Sequence, residues 1–141
     1  MTSSTSHRAL SIFIVEDALP VRQAMRAAFE GIAGARVIGE ADDATRGTRL
    51  IRELRPDVVT LDVRLKDGYG IDVLRAIEAT GEGPRPLVMV LTNHVDAHVR
   101  NACFELGAAH FFDKATEFRL ACDVIAQVAA GRLHHERRHG S

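Results

Sequence analysis

Five short apolar runs are separated by five segments of helical period, and this alternation constrains the fold more than any other feature of the 141-residue chain. The runs are Leu10–Val15 (LSIFIV), Ala35–Gly39 (ARVIG), Val58–Leu61 (VVTL), Leu87–Leu91 (LVMVL) and Ala109–Phe112 (AHFF). The third and fourth are almost continuously apolar, as strands buried on both faces are; the second alternates more and reads as an edge strand. Between them, apolar residues recur every three or four positions. Val21, Met25, Phe29 and Ile32 mark the first helix, with Pro20 in its first turn. Leu50, Ile51 and Leu54 mark the second, with Asp42 or Asp43 as N-cap and Pro56 beyond its end. A third is expected from about Ile71 to Thr80, stopping at Gly81. A fourth carries Val99, Ala102, Cys103 and Leu106 and stops at Gly107. The fifth carries Phe118, Ala121, Val124, Ile125 and Val128, with Thr116 as N-cap and Gly131 as stop.

A βα unit repeated five times implies an α/β fold. It has a doubly wound parallel sheet, right-handed crossovers and helices on both faces. Five strands suit the flavodoxin-like order 2-1-3-4-5, in which ligands bind beyond the carboxyl ends of the strands. Composition agrees with one packed domain. The chain is 46% hydrophobic with a formal charge of −1, which argues against disorder and against a nucleic-acid-coating protein. No apolar run is long enough for a transmembrane helix, and the Ser/Thr-rich start lacks the apolar region of a signal peptide. Cys103 and Cys122 lack metal-ligand spacing and read as unpaired, core-facing residues of a reducing, cytoplasmic compartment.

The residues that follow each apolar run therefore carry the chemistry. Glu16 and Asp17 follow the first, Asp62 the third and Thr92 the fourth; Lys114 lies two residues past the fifth. Strands 1 and 3 are neighbours in that order, about 4.8 Å apart. Glu16, Asp17 and Asp62 thus converge, with Thr92 and Lys114 across the cleft. Three carboxylates repel, and at least one pKa should rise. A hard dication such as Mg²⁺ offsets that charge with the oxygen ligands it prefers. An ionised Asp is also a nucleophile able to form an aspartyl-phosphate, with a hydroxyl and an ammonium placed to bind the phosphoryl oxygens. Singly, each residue has a plainer reading: Asp17 a helix cap, Asp62 a turn residue, Thr92 a strand residue, Lys114 a solvated charge. Their joint placement at four of five strand ends favours the site.

At this point the chain resembles the receiver domains of bacterial response regulators. The stretches that carry the resemblance are IFIVEDALPVRQAM (12–25), VVTLDVRLKDGYGIDVL (58–74), VMVLTN (88–93) and GAAHFFDK (107–114). Spacings of 45, 30 and 22 residues separate Asp17, Asp62, Thr92 and Lys114. The resemblance covers about residues 9–130, leaving a flexible N-terminus (1–8) and a polar tail (131–141). It implies that Asp62 is the phosphoacceptor, that Asp17 binds Mg²⁺ directly and that Glu16 acts through a water. The backbone carbonyl of Arg64 would complete the metal shell. It also implies that Lys114 binds the phosphoryl group, and that Thr92 and Phe111 switch on phosphorylation. The face built by the fourth helix, fifth strand and fifth helix would then be remodelled.

By the same resemblance the phosphoryl donor is a sensor histidine kinase or a histidine phosphotransfer protein. The output is a changed protein contact, homodimerisation on activation being one form it can take, with no direct nucleic-acid or membrane partner and no enzymatic turnover beyond self-phosphorylation and slow self-dephosphorylation. The chain ends about ten residues past the fifth helix, which favours a stand-alone receiver. Four departures from the family pattern stand out. Lys66 replaces a common Pro and is expected to loosen its loop. Ala115 replaces the Pro that often follows a cis peptide; cis before Ala costs about 3 kcal/mol, which puts that bond in question. Asn93 narrows access to Asp62, and Arg64 and His94 stand where phosphoryl lifetime is tuned. His110 reads as a packed or edge residue, and His134, His135 and His139 as part of a solvated tail. Two competing classes fit the residues less well: a non-phosphorylated interaction domain of the same fold, and a Mg²⁺-dependent hydrolase with an Asp nucleophile. The first usually lacks the Asp or the Lys; the second disfavours a Glu-Asp pair after the first strand.

Overall fold

The computed structural model describes residues 8–81 and 83–140, with side chains described through residue 131. Ten elements alternate along the chain. The strands are β1 (Leu10–Val15), β2 (Ala35–Ala41), β3 (Val58–Leu61), β4 (Leu87–Thr92) and β5 (His110–Asp113). The helices are α1 (Leu19–Glu30), α2 (Ala44–Leu54), α3 (Gly70–Thr80), α4 (Ala97–Glu105) and α5 (Phe118–Gly140). All the strands pair in parallel, in the order β2-β1-β3-β4-β5.

The two-residue period of the strands sorts the core into two layers. Phe13, Val15, Val59, Leu61, Val88 and Val90 pack beneath α2, α3 and α4 with Ile51, Val73, Leu74 and Cys103. Ile12, Ile14, Val58, Met89 and Leu91 face the other way and pack beneath α1 and α5 with Met25, Phe29, Ala121 and Ile125. Both cysteines are free, as the sequence indicated, and they belong to opposite layers.

Several boundaries differ from the sequence expectation. β2 continues to Ala41 because its pairing with β1 runs on to Val15↔Ala41. β4 includes Thr92 and β5 is shifted by one residue, because Thr92 pairs with Asp113. α2 takes Asp43 as N-cap, its carboxylate accepting from the Arg46 N–H at 2.7 Å. Glu117, not Thr116, precedes the first turn of α5, and its carbonyl accepts from the Ala121 N–H. The expected stop at Gly131 does not occur, since α5 runs through it; a glycine weakens a helix without ending it when nothing forces φ positive. The N-terminal residues 1–7 and the side chains of His134, His135 and His139 lie outside the described residues.

The loop after β3 is held more firmly than Lys66 suggested. The Lys66 N–H donates to the Asp42 carbonyl at 3.2 Å, and the Ala44 N–H donates to the Asp67 carbonyl at 3.0 Å. Arg64 and Tyr69 close the loop as an isolated antiparallel bridge. No described peptide bond is cis, the one before Ala115 included.

Candidate functional site

The site forms where β1, β3, β4 and β5 end together. Glu16 is 1% exposed, Asp62 5% and Thr92 0%, whereas Asp17 stands in solvent. Asp17 does not cap α1: Ala18 occupies that position, without a side-chain hydrogen bond. The plain reading of Asp17 therefore fails. One carboxylate oxygen from each of Glu16, Asp17 and Asp62 lies within 4.8 Å of the others.

Lys114 enters from the end of β5. Its Nζ donates to Asp62 Oδ2 at 2.6 Å and to Glu16 Oε1 at 2.6 Å. The lysine is placed by its own backbone, whose N–H donates to the Thr92 carbonyl at 2.9 Å. The turn behind it is closed by Asp113, whose N–H donates to Glu117 Oε1 and whose carboxylate accepts from the Ala115 N–H.

Two of the three carboxylates are already engaged. Glu16 Oε2 accepts from the Ala18 N–H at 3.0 Å, so both its oxygens already hold a partner. Asp62 Oδ1 accepts from the Val63 N–H at 2.7 Å. Burial, the largest influence, pushes the Glu16 carboxyl above its ordinary range against the pull of Lys114 and Ala18. Burial alone would lower the Lys114 ammonium, but its hydrogen bonds to Asp62 and Glu16 outweigh it and the pKa rises. The lysine thus stays charged.

The donor set fits a hard dication: three carboxylates with oxygens close together, one of them in solvent, and a single ammonium to offset them. The Arg64 carbonyl accepts no hydrogen bond from the described residues and remains available as a fourth oxygen. Thr92 Oγ1 accepts from the His94 N–H at 3.0 Å, which holds the hydroxyl in a local turn. Phe111 is half-buried on the α4 side of the sheet, with its ring 6.5 Å from that of Phe104. His110 stacks on Phe112 at 5.6 Å along the edge strand, the packed role expected of it. Arg64, Lys66, Asn93 and His94 are exposed around the cleft.

Two residues that support the site were not singled out from sequence. Arg22 Nη1 donates to the Glu16 carbonyl at 2.7 Å, and its Nε donates to Glu40 Oε1 at 2.7 Å. Gly70 opens α3 directly against Asp62, and a Cβ there would collide with the Asp62 carbonyl. Neither carries a sequence signal of its own, because each acts through a neighbour distant in the chain.

Known proteins share this chain's sequence pattern and fold. The chain is 34% identical over 136 residues to a protein-glutamate methylesterase/protein-glutamine glutaminase 2 of Rhodospirillum rubrum, a match that covers 89% of this chain and 37% of that protein. It is 30% identical over 122 residues to the transcriptional regulatory protein LiaR of Bacillus subtilis, covering 86% and 57% respectively. The chain therefore spans only part of the length of these relatives. Among solved structures it is similar to the signal receiver domain of the putative response regulator NarL from Mycobacterium tuberculosis, with a TM-score of 0.78 at 23% identity, covering 88% of this chain and 98% of that one. It is also similar to a LuxR-family two-component response regulator from Aurantimonas, with a TM-score of 0.71 at 27% identity, covering 92% and 98%. Residues 12–126, which include every strand end of the acidic cleft, match the family model for the response regulator receiver domain; the chain belongs to that family and is a signalling domain of the two-component type.

Proposed function

We propose that Asp62 is the phosphoacceptor and that its donor is the phosphohistidine of a sensor histidine kinase or a histidine phosphotransfer protein. The observation that carries this is the buried Asp62 carboxylate, bound to Lys114 at 2.6 Å and grouped with Glu16 and Asp17. An Asp62 oxygen attacks phosphorus, the P–O bond forms as the P–N bond breaks, and the imidazole keeps the electron pair and takes up a proton. Lys114 shifts its hydrogen bonds to the phosphoryl oxygens, and the Thr92 hydroxyl leaves the His94 N–H to donate to one of them. Asp17, Asp62 and the Arg64 carbonyl would hold Mg²⁺, with Glu16 acting through a water. When bound, the ion supplies positive charge beside the transferring phosphoryl group.

The movement of Thr92 frees space beside β4 that Phe111 enters, which remodels the face of α4, β5 and α5 for a downstream protein or a second copy of this chain. The module comprises residues 9–130, works in the cytoplasm, and has no turnover beyond self-phosphorylation from small donors and slow self-dephosphorylation. The absence of any helix long and apolar enough to cross a membrane among the described residues is compatible with that setting.

Acetyl phosphate with Mg²⁺ tests the reading. A phosphoryl mass gain is expected in the natural chain and not in Asp62→Asn. No gain in the natural chain overturns the proposal, and steady turnover of a small phosphate ester points to a hydrolase instead.

A further inference from the structure

Helix α2 carries a row of arginines that make no ion pair among the described residues, although Glu53, Asp67 and Asp72 line one groove with Arg49 and Arg52. Arg46, Arg49, Arg52 and Arg55 lie three residues apart on α2 and its C-cap, all exposed, against a single acid, Glu53. None of the four is in an ion pair among the described residues, whereas Arg22, Arg26, Arg75 and Arg85 each are. This happens in a chain whose formal net charge is −1. Buried Ala44, Gly47 and Ile51 set the inner side of α2, which leaves Arg49 at the centre of the outer side.

The charge borders a cavity of about 250 Å³ between α2 and α3, at the end of the sheet opposite the acidic cleft. Ile51, Pro56, Ile77 and Pro86 give it an apolar floor, and Arg52 and Arg55 stand at its rim. Arg85 also lines it but is paired with Glu78 at 2.6 Å, so the unpaired charge belongs to α2. Arg55 is the only described non-glycine residue with positive φ, at φ 48 and ψ 60. Glycine is the ordinary choice for that left-handed cap, and an arginine there costs about 1 kcal/mol of backbone strain. The chain tolerates the strain and gains a guanidinium at the cavity mouth.

We infer that the groove between α2 and α3 forms a docking surface for an acidic peptide segment of a partner protein, one that places an aliphatic or aromatic side chain in the cavity and its carboxylates on Arg52 and Arg55. Charge complementarity selects the acid, since planar guanidinium groups pair with carboxylates in fork geometry. The apolar floor selects a peptide over a nucleic acid, whose phosphates would leave that floor unfilled. This surface is separate from the face of α4, β5 and α5 and from the acidic cleft.

The test is a titration of the isotopically labelled full chain with a synthetic peptide of glutamates interspersed with leucines, read by amide chemical shifts. Shifts are expected in residues 48–56 and 76–86, with affinity that falls as salt rises. The double variant Arg52→Glu, Arg55→Glu should bind about tenfold more weakly while still accepting phosphate from acetyl phosphate. Replacing the peptide leucines with serine should weaken binding as well. Arg55→Gly should raise stability while lowering affinity, a combination that a purely structural arginine would not give. Absence of shifts in those two segments at millimolar peptide overturns the inference. So does an oligonucleotide or heparin that binds there as tightly as the peptide. The readout is binding by the unphosphorylated chain, so its outcome is independent of the role of Asp62.

Discussion

Arg22 Nη1 donates to the main-chain carbonyl of Glu16 at 2.7 Å while its Nε is held by Glu40 at 2.7 Å, so a guanidinium on α1 ties the β1–α1 loop to β2. That loop presents Glu16 and Asp17. Arg22 is largely buried, and Arg26 joins the same carboxylate at 2.6 Å. Truncation would leave the Glu40 carboxylate with one partner and the Glu16 carbonyl with none. We expect Arg22→Ala to cost about 2 kcal/mol of stability, in the range of charge-assisted hydrogen bonds. Arg22→Lys should restore charge but not the two-point contact, recovering part of the stability. Denaturant titration reads the first effect. The Mg²⁺ dependence of acetyl phosphate labelling reads the second, and should shift to higher Mg²⁺ in both variants if the loop positions Asp17.

Gly70 and Gly131 give opposite predictions for the same substitution. A Cβ at Gly70 would occupy the space of the Asp62 carbonyl and press on Val63, so α3 or the end of β3 must move. Gly70→Ala should destabilise by about 2 kcal/mol, as overpacking does, and slow phosphorylation by displacing Asp62. Gly131 lies inside α5, and beyond its chain neighbours and the helix's own backbone no described atom lies within 4 Å of an added Cβ. Gly131→Ala should stabilise by up to about 1 kcal/mol through helix propensity alone. Thermal melts of the two variants should move in opposite directions, and movement in the same direction would refute the close approach at Gly70.

The elements that bury one strand face against one helix face were legible in the sequence, because each leaves a local period. Leu10–Val15 and Val58–Leu61 have the expected bounds for that reason. Ends set by pairing were less legible: β2 runs on to Ala41 and β4 to Thr92 because partners distant in sequence extend the ladder. The acidic cleft was readable from strand ends, since parallel topology brings those ends together. Its support by Arg22 was not, because Glu40 lies on another strand 18 residues away in sequence. The double hold of Lys114 on Asp62 and Glu16 likewise needed distances.

Thr60 is a residue whose chemistry the fold does not use. It is 1% exposed on β3, and its hydroxyl is the one buried side-chain polar atom without a hydrogen-bond partner among the described residues. Ile14 and Met89 flank it on the neighbouring strands. Burying an unpaired hydroxyl costs about 1–3 kcal/mol, and valine has the same shape without it. Thr60→Val should stabilise by about 1 kcal/mol, measured by denaturant midpoint at unchanged slope. Thr60→Ser, which keeps the hydroxyl and loses a methyl, should destabilise.

Glu40 makes stability depend on pH. Burial alone would raise its carboxyl, but hydrogen bonds and charge from Arg22 and Arg26 outweigh that and hold it below its ordinary value. A carboxyl depressed in the folded state contributes stability above its unfolded pKa of about 4.3, and that contribution is lost as pH falls through the folded value. Glu40→Gln should therefore be less stable than the natural chain at pH 7. The gap should narrow steadily below about pH 4.5. A gap that stays constant down to the acid transition would show that the pair adds no pH-linked stability.

Magnesium should stabilise the folded chain through Asp17. Glu16, Asp17 and Asp62 bring their oxygens within 4.8 Å of one another, and Lys114 offsets only part of their charge. The unfolded chain has no such grouping, so the ion binds the folded form selectively. Ten times its Kd adds about 1.4 kcal/mol, or about 5 °C in Tm. Chelation should remove the whole increment. Asp17 is exposed and makes no contact that the fold relies on, so Asp17→Asn should leave the Tm in chelator within about 1 °C of the natural chain while abolishing the response to Mg²⁺. Asp62→Asn should weaken the response too, but with a change in the metal-free melt, because it alters the partner of a half-buried lysine. Calcium should replace magnesium poorly if the small, partly hydrated ion is what the cleft selects, since its longer bonds and higher ligand number ask for more oxygens than three carboxylates and one carbonyl supply. An equal shift in Asp17→Asn and the natural chain would place the ion elsewhere.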